Sequence, residues 1–143
     1  MNEYIEKLKK QKKIDLVTDK SSNFNWQLGD KTVGKDFVVI AGPCSVESQK
    51  MITDMSVYLK KLGVDAIRGG AYKPCTYPVK KEKNGWKEGL GAKGLLYLMN
   101  AGHESTLPVV TEAMDKTLLP FIVEHADVIQ VGTRNFQNYA LLD

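Results

Sequence analysis

The 143 residues are 43% hydrophobic and 26% charged, which is one globular domain with enough chain for a real core. A net charge of +3 is too small to argue for nucleic acid but suits small phosphorylated partners, and no apolar run nears the roughly 20 residues of a membrane span. The N-terminus lacks the apolar centre of a secretory signal, and Cys44 and Cys75 form neither a disulfide framework nor a zinc knuckle, so the cytoplasm is the expected compartment.

Residues 1–24 read as an N-terminal extension and linker. Tyr4, Ile5 and Leu8 share one side of a lysine-rich helix over residues 1–13, Glu3 and Glu6 argue against a transit peptide, and residues 19–24 are linker. Residues 25–28 and 32–33, joined across Gly29-Asp30-Lys31, predict a small hairpin that closes the bottom of a barrel. Residues 37–41 (FVVIA) predict a strand buried on both faces, stopped by Gly42-Pro43, with Cys44 at its end.

Ser45 and Glu47 then look like a helix start, and Met51, Ile52, Met55, Val57, Tyr58 and Leu62 supply an apolar set over residues 49–61, with Gly63 as the C-cap. Residues 66–68 are a second strand, ended by Gly69-Gly70, and 71–89 a long lysine-rich loop. Residues 91–100 are a second helix, with Gly102 after it. Residues 107–111 are a third strand ending at Glu112. Residues 116–125 are a third helix, whose Pro120 requires a kink or a late start. Residues 128–131 are a fourth strand, and 135–142 begin a fourth helix.

Buried strand, polar turn and amphipathic helix repeat, which means a parallel sheet with right-handed crossovers. A doubly wound sheet and a β/α barrel both fit that alternation. Cys44, Arg68, Glu112 and Arg134 fall at or just past the ends of four successive strands, and drawing polar residues from many strand ends on one face is the habit of the barrel. A complete barrel takes about 250 residues. The expected fold is therefore α/β, about four βα units forming the N-terminal half of an eight-stranded barrel over residues 25–143. Such a half exposes strand edges and an apolar interior.

Four motifs in order carry a resemblance: IAGPCSVES (40–48), IRGGAYKP (67–74), VVTEAMD (109–115) and IQVGTRNFQN (129–138). Together they resemble class I 3-deoxy-D-arabino-heptulosonate 7-phosphate (DAHP) synthases, in the short form without a large regulatory insertion, over more than three-quarters of the chain. The resemblance implies condensation of phosphoenolpyruvate with erythrose 4-phosphate at the head of the shikimate pathway, a divalent metal (manganese, iron, cobalt or zinc), and a homo-oligomer at full length.

It makes Cys44 a metal ligand, the family's other ligands coming from the second half of the barrel. Arg68 becomes a phosphoenolpyruvate-binding arginine, while Thr133 and Arg134 meet a substrate phosphate, although the family more often has alanine at position 133. Glu112 would orient the attacking water, and Lys73 would hold the aldehyde or donate a proton to it. Pro74 and Thr76 fit the sugar-phosphate segment. Cys75 stands where the family has an arginine, leaving Lys80 and Lys81 as candidate point charges there. Asp115 reads as a helix cap.

His103, placed in a helix-to-strand loop, and His125, ending a helix, lie away from the expected rim. Gly89, Gly91 and Gly94 match a dinucleotide fingerprint but follow a polar stretch (83–88) instead of the buried strand it requires. The alternatives are an octulosonate 8-phosphate synthase-like enzyme, which would carry Val-Ile-Glu in place of Ser45-Val46-Glu47, and a non-catalytic half-barrel. The isolated chain is expected to turn over negligibly, lacking the remaining ligands.

Overall fold

A computed structural model describes residues 25–73 and 89–143; the extension over 1–24, and with it the predicted helix at 1–13, lies outside the described residues. A hairpin of β1 (Trp26–Leu28) and β2 (Lys31–Val33) turns across Gly29 and Asp30, with Gly29 at a left-handed φ of 57°. There follow β3 (Ile40–Ala41), α1 (Gln49–Lys61), β4 (Ala66–Arg68), α2 (Ala92–Ser105), β5 (Val109–Ala113), a 3₁₀ turn (Lys116–Leu118), α3 (Leu119–His125), β6 (Val128–Val131) and α4 (Tyr139–Leu142).

β3, β4, β5 and β6 form one parallel sheet in that spatial order. The order follows the chain without reversal, whereas a doubly wound sheet would have a switch point. This is barrel topology. The register explains how the chain serves a core and a site with the same strands. Ile67 and Val109 point outward into a cluster with Val46, Ile52, Leu59, Leu98 and Ala101, while Ala113 joins Ala71, Leu95 and Ile122 under α2 and α3. The alternate residues Ala66, Val110 and Val128 point inward and are closed from below by Leu28 of the hairpin, with Trp26 and Val33 beside it. The hairpin thus sits where the sequence predicts. By the two-residue period, Arg68, Glu112 and Gln130 occupy the same inner face one step higher.

Two of the three crossovers, those into β4 and β6, use one device. Asp65, just before β4, accepts the N–H of Val39 at 2.7 Å, and Asp127, just before β6, accepts that of Val109 at 2.7 Å. An aspartate at the start of one strand therefore fixes the start of its neighbour.

Several predicted elements differ from those observed. The first strand is short, and Phe37, Val39 and Ile40 are exposed, because β3 is the edge of the described sheet and pairs on one side alone. Helix α1 starts later than Ser45: Ser48 is its N-cap, accepting from Met51 N at 3.2 Å. Val57, Tyr58 and Leu62 are exposed, and the buried face is Ile52, Ser56 and Leu59. Gly63 follows the helix end at φ 79° as expected.

Helix α2 runs through Gly102 to Ser105 and stops at Thr106, itself left-handed at φ 54°. Gly102 is there for proximity: a Cβ would lie 2.4 Å from Val109 Cγ2 and 2.8 Å from the Leu107 carbonyl oxygen. Gly102→Ala is therefore expected to force α2 off β5 and cost about 1–3 kcal/mol, read as a lowered urea midpoint. An unchanged midpoint would mean that this helix is free to shift. Strand β5 extends to Ala113, so Glu112 lies inside it. Pro120 falls in the first turn of α3 after the 3₁₀ turn, which is the late start, and Asp115 caps that turn by accepting from Thr117 N at 2.7 Å. The last helix begins at Tyr139 instead of 135, the intervening residues forming turns.

Candidate active site

The rim at the carboxyl ends of the parallel strands brings four predicted residues together. Cys44 follows β3, Arg68 ends β4, Lys73 lies in the loop beyond it, and Glu112 is near the end of β5. Close backbone packing makes this possible. A Cβ on Gly42 would lie 1.8 Å from the Arg68 carbonyl oxygen, and one on Gly70 2.5 Å from that of Cys44. The Val46 N–H donates to the Gly70 carbonyl at 3.0 Å. The two loops are thereby locked, and the side chains that leave them point to one place.

Lys73 Nζ donates to Cys44 Sγ at 2.7 Å. That hydrogen bond above all, with lesser help from the Lys73 charge and the nearby Arg68, holds the exposed Cys44 thiol below its usual range against the opposing effect of desolvation. Lys73→Met removes a cation that favours the thiolate, so the pH midpoint of Cys44 alkylation by iodoacetamide should rise. Peptide mass spectrometry follows Cys44 apart from Cys75, and an unmoved midpoint would remove Lys73 as the cause.

The Arg68 guanidinium lies across the rim. Its Nε donates to Gln130 Oε1 at 3.2 Å and its Nη1 to the Pro43 carbonyl at 3.2 Å, while Nη2 stands 4.0 Å from Glu112 Oε2. Glu112 is nine-tenths buried, and its carboxylate occupies the space left by Gly132, where a Cβ would lie 1.8 Å from Oε1. Beneath it, Thr111 Oγ1 donates to the Gly69 carbonyl at 2.8 Å.

Thr133 and Arg134 sit at the same end of the sheet in the turn after β6, both exposed, and take no part in this set of contacts. Asn135 anchors their turn: its backbone N–H donates to Gly132 O at 2.8 Å, and its buried side chain meets Met114 Sδ and Asn138. Pro74, Thr76, Cys75, Lys80 and Lys81 lie outside the described residues.

His103 is in the last turn of α2, not in a loop, and His125 ends α3 with its Nδ1 2.8 Å from the Phe121 carbonyl. Both line a cleft of about 200 Å³ with Val109 and Asp127, by the strand starts and so at the far end of the sheet. Sequence reasoning missed Gln130 as a site residue, and it reads Gly132 as room for close backbone approach and not as room for the Glu112 carboxylate. Both stand in the IQVGTRNFQN motif, and the two-residue period from Val128 places Gln130 on the inner face.

A sequence model of the DAHP synthetase I family matches residues 10–143. The chain belongs to that family. It is 47% identical over 116 residues to the phospho-2-dehydro-3-deoxyheptonate aldolase of Thermotoga maritima, an overlap of 80% of this chain and 32% of that protein. A 2-dehydro-3-deoxyphosphooctonate aldolase of Francisella tularensis subsp. holarctica is 31% identical over 108 residues, 75% of this chain and 38% of that protein. The crystal structure of the Thermotoga maritima DAHP synthase superposes with a TM-score of 0.74 at 44% identity, covering 86% of this chain and 34% of that one. A truncated form of the 3-deoxy-D-arabino-heptulosonate 7-phosphate synthase from the same organism gives 0.72 at 39% identity, over 90% and 44%. The chain spans about a third of the length of the curated relatives it matches.

DAHP synthases are generally metal-dependent. Among the described residues no group of three or more His, Cys, Asp or Glu is placed to hold an ion. The exposed Cys44, its thiolate favoured by two cations, fits one corner of such a site. No helix among the described residues is long and apolar enough to cross a membrane.

Proposed function

We propose that this chain supplies the N-terminal half of a cytoplasmic, metal-dependent barrel that condenses phosphoenolpyruvate with erythrose 4-phosphate, acting as a homo-oligomer at full length. The observation that carries the reading is the meeting of Cys44, Lys73, Arg68 and Glu112 at one rim. Arg68 takes the carboxylate or phosphate of phosphoenolpyruvate, for which a guanidinium fork is suited. Arg134 and Thr133 add a phosphate contact from the next strand, and Pro74 and Thr76 belong to the sugar-phosphate side. Lys73 protonates the alkoxide that develops when C3 of phosphoenolpyruvate attacks the aldehyde, and Glu112 orients the water that adds at C2 before phosphate leaves. Cys44 would hold one position of a divalent ion, which when bound supplies Lewis-acid polarisation of the aldehyde.

The sugar preference rests on the higher identity to the heptonate enzyme, 47% against 31%, and on the Ser45-Val46-Glu47 sequence. The test joins residues 25–143 to the remaining barrel of the Thermotoga maritima relative. With manganese, this whole-barrel chimera is expected to consume phosphoenolpyruvate faster with erythrose 4-phosphate than with arabinose 5-phosphate, while the isolated 143-residue chain stays near background. A folded chimera without turnover, or one that prefers the arabinose phosphate, would overturn the reading. Clear turnover by the isolated chain would overturn its need for a second half.

A further inference from the structure

We propose that Gln130 is a positioning residue that fixes Arg68 for anion binding and must be uncharged to do so. The proposal deepens the reading given under Proposed function, since the anion is phosphoenolpyruvate. Arg68 ends β4, Gln130 lies in β6, and β5 runs between them with Arg68 in register with Val110 and Glu112 in register with Gln130. Arg68 therefore spans a whole strand to reach the amide, placing its Nε 3.2 Å from Gln130 Oε1. On its other side Nη1 meets the Pro43 carbonyl at 3.2 Å. Both anchors are neutral oxygens; of the ionisable neighbours, Glu112 stands at 4.0 Å from Nη2 and the Cys44 thiol is tied first to Lys73, with Arg68 a lesser partner.

This choice of partners has a consequence for ligand binding. An arginine left alone must lose its rotamer freedom when an anion arrives, and fixing it beforehand removes that loss from the binding step. A carboxylate at position 130 would fix the guanidinium equally well but would spend its charge on an ion pair. An amide satisfies the N–H and leaves the positive charge for the ligand. It also sits beside Glu112 without adding a second negative charge to the rim, where like charges disfavour each other.

The test has two arms. In the 143-residue chain, the Arg68 Nε–H resonance, assigned by its loss in Arg68→Lys, should exchange slowly with water. Protection should vanish in Gln130→Met, which keeps the size without an acceptor, and return in Gln130→Glu. Equal exchange in the unsubstituted chain and Gln130→Met overturns the anchoring. In the whole-barrel chimera, Gln130→Met and Gln130→Glu should each raise KM for phosphoenolpyruvate on the order of 10- to 100-fold with little change in kcat. A Gln130→Glu enzyme with unchanged KM overturns the requirement for neutrality. A drop in kcat alone, or lowered thermal stability with KM unmoved, marks Gln130 as structural and overturns the proposal. An unsubstituted chimera without turnover condemns the proposed function instead, while the exchange arm still judges the Arg68–Gln130 contact.

Discussion

Arg68→Ala in the whole-barrel chimera is expected to raise KM for phosphoenolpyruvate by roughly 30- to several-thousand-fold, the range for losing a well-held charge pair. Three features of the rim place the effect there. The guanidinium is already held by Gln130 and Pro43, so little ordering remains for the ligand to impose. Its side chain is three-quarters buried, so water screens the contact less than at an open surface. Its backbone is pinned, the Arg68 carbonyl lying within 1.8 Å of where a Gly42 Cβ would be. Arg68→Lys should recover only part of the loss, because an ammonium keeps the charge but not the fork that meets Gln130 and the ligand together. The measurement is a steady-state comparison at saturating erythrose 4-phosphate, with thermal unfolding as the control for folding. A KM within threefold of the parent would show that the substrate's charge is met elsewhere, Arg134 being the first candidate.

The alternation of buried strand and amphipathic helix carried the topology because each β/α unit repeats the same physical problem, covering one face of a strand with one helix. The sequential strand order and the placement of Cys44, Arg68 and Glu112 at strand ends both follow from it. What local patterning misread was long-range in origin. The apolar run at 37–41 reads as a fully buried strand, yet its burial depends on neighbours beyond β3, and Phe37 is 86% exposed. Gly102 reads as a helix stop by its conformational preference, whereas it is placed by the approach of Val109 from a strand that follows it. Gln130 escaped attention because a glutamine in a strand has no chemistry of its own. Its role depends on an arginine far back in the chain, and no spacing rule links the two.

Gly132→Ala is expected to abolish most turnover without touching any reactive group. The added Cβ would stand 1.8 Å from Glu112 Oε1 and 2.5 Å from Cδ, so the methyl and the carboxylate cannot share the space. The strand backbone is held by the β5–β6 register, with Ala113 opposite Val131, and the carboxylate is the part that can swing. If Glu112 orients the water as proposed, its displacement takes that water from C2, and kcat should fall by the 10²–10⁴-fold typical of losing a positioned acid or base, with KM for phosphoenolpyruvate changed far less. Glu112→Gln, which keeps the shape and loses the charge, should fall in the same range. The double variant decides the cause. If the methyl acts through Glu112, Gly132→Ala adds almost nothing to Glu112→Gln, since neighbours sharing one function are not additive. If the losses multiply instead, the alanine harms the turn that carries Thr133 and Arg134, and the claim that it acts through Glu112 must be given up; a Glu112→Gln enzyme with unchanged kcat would remove the carboxylate from water delivery.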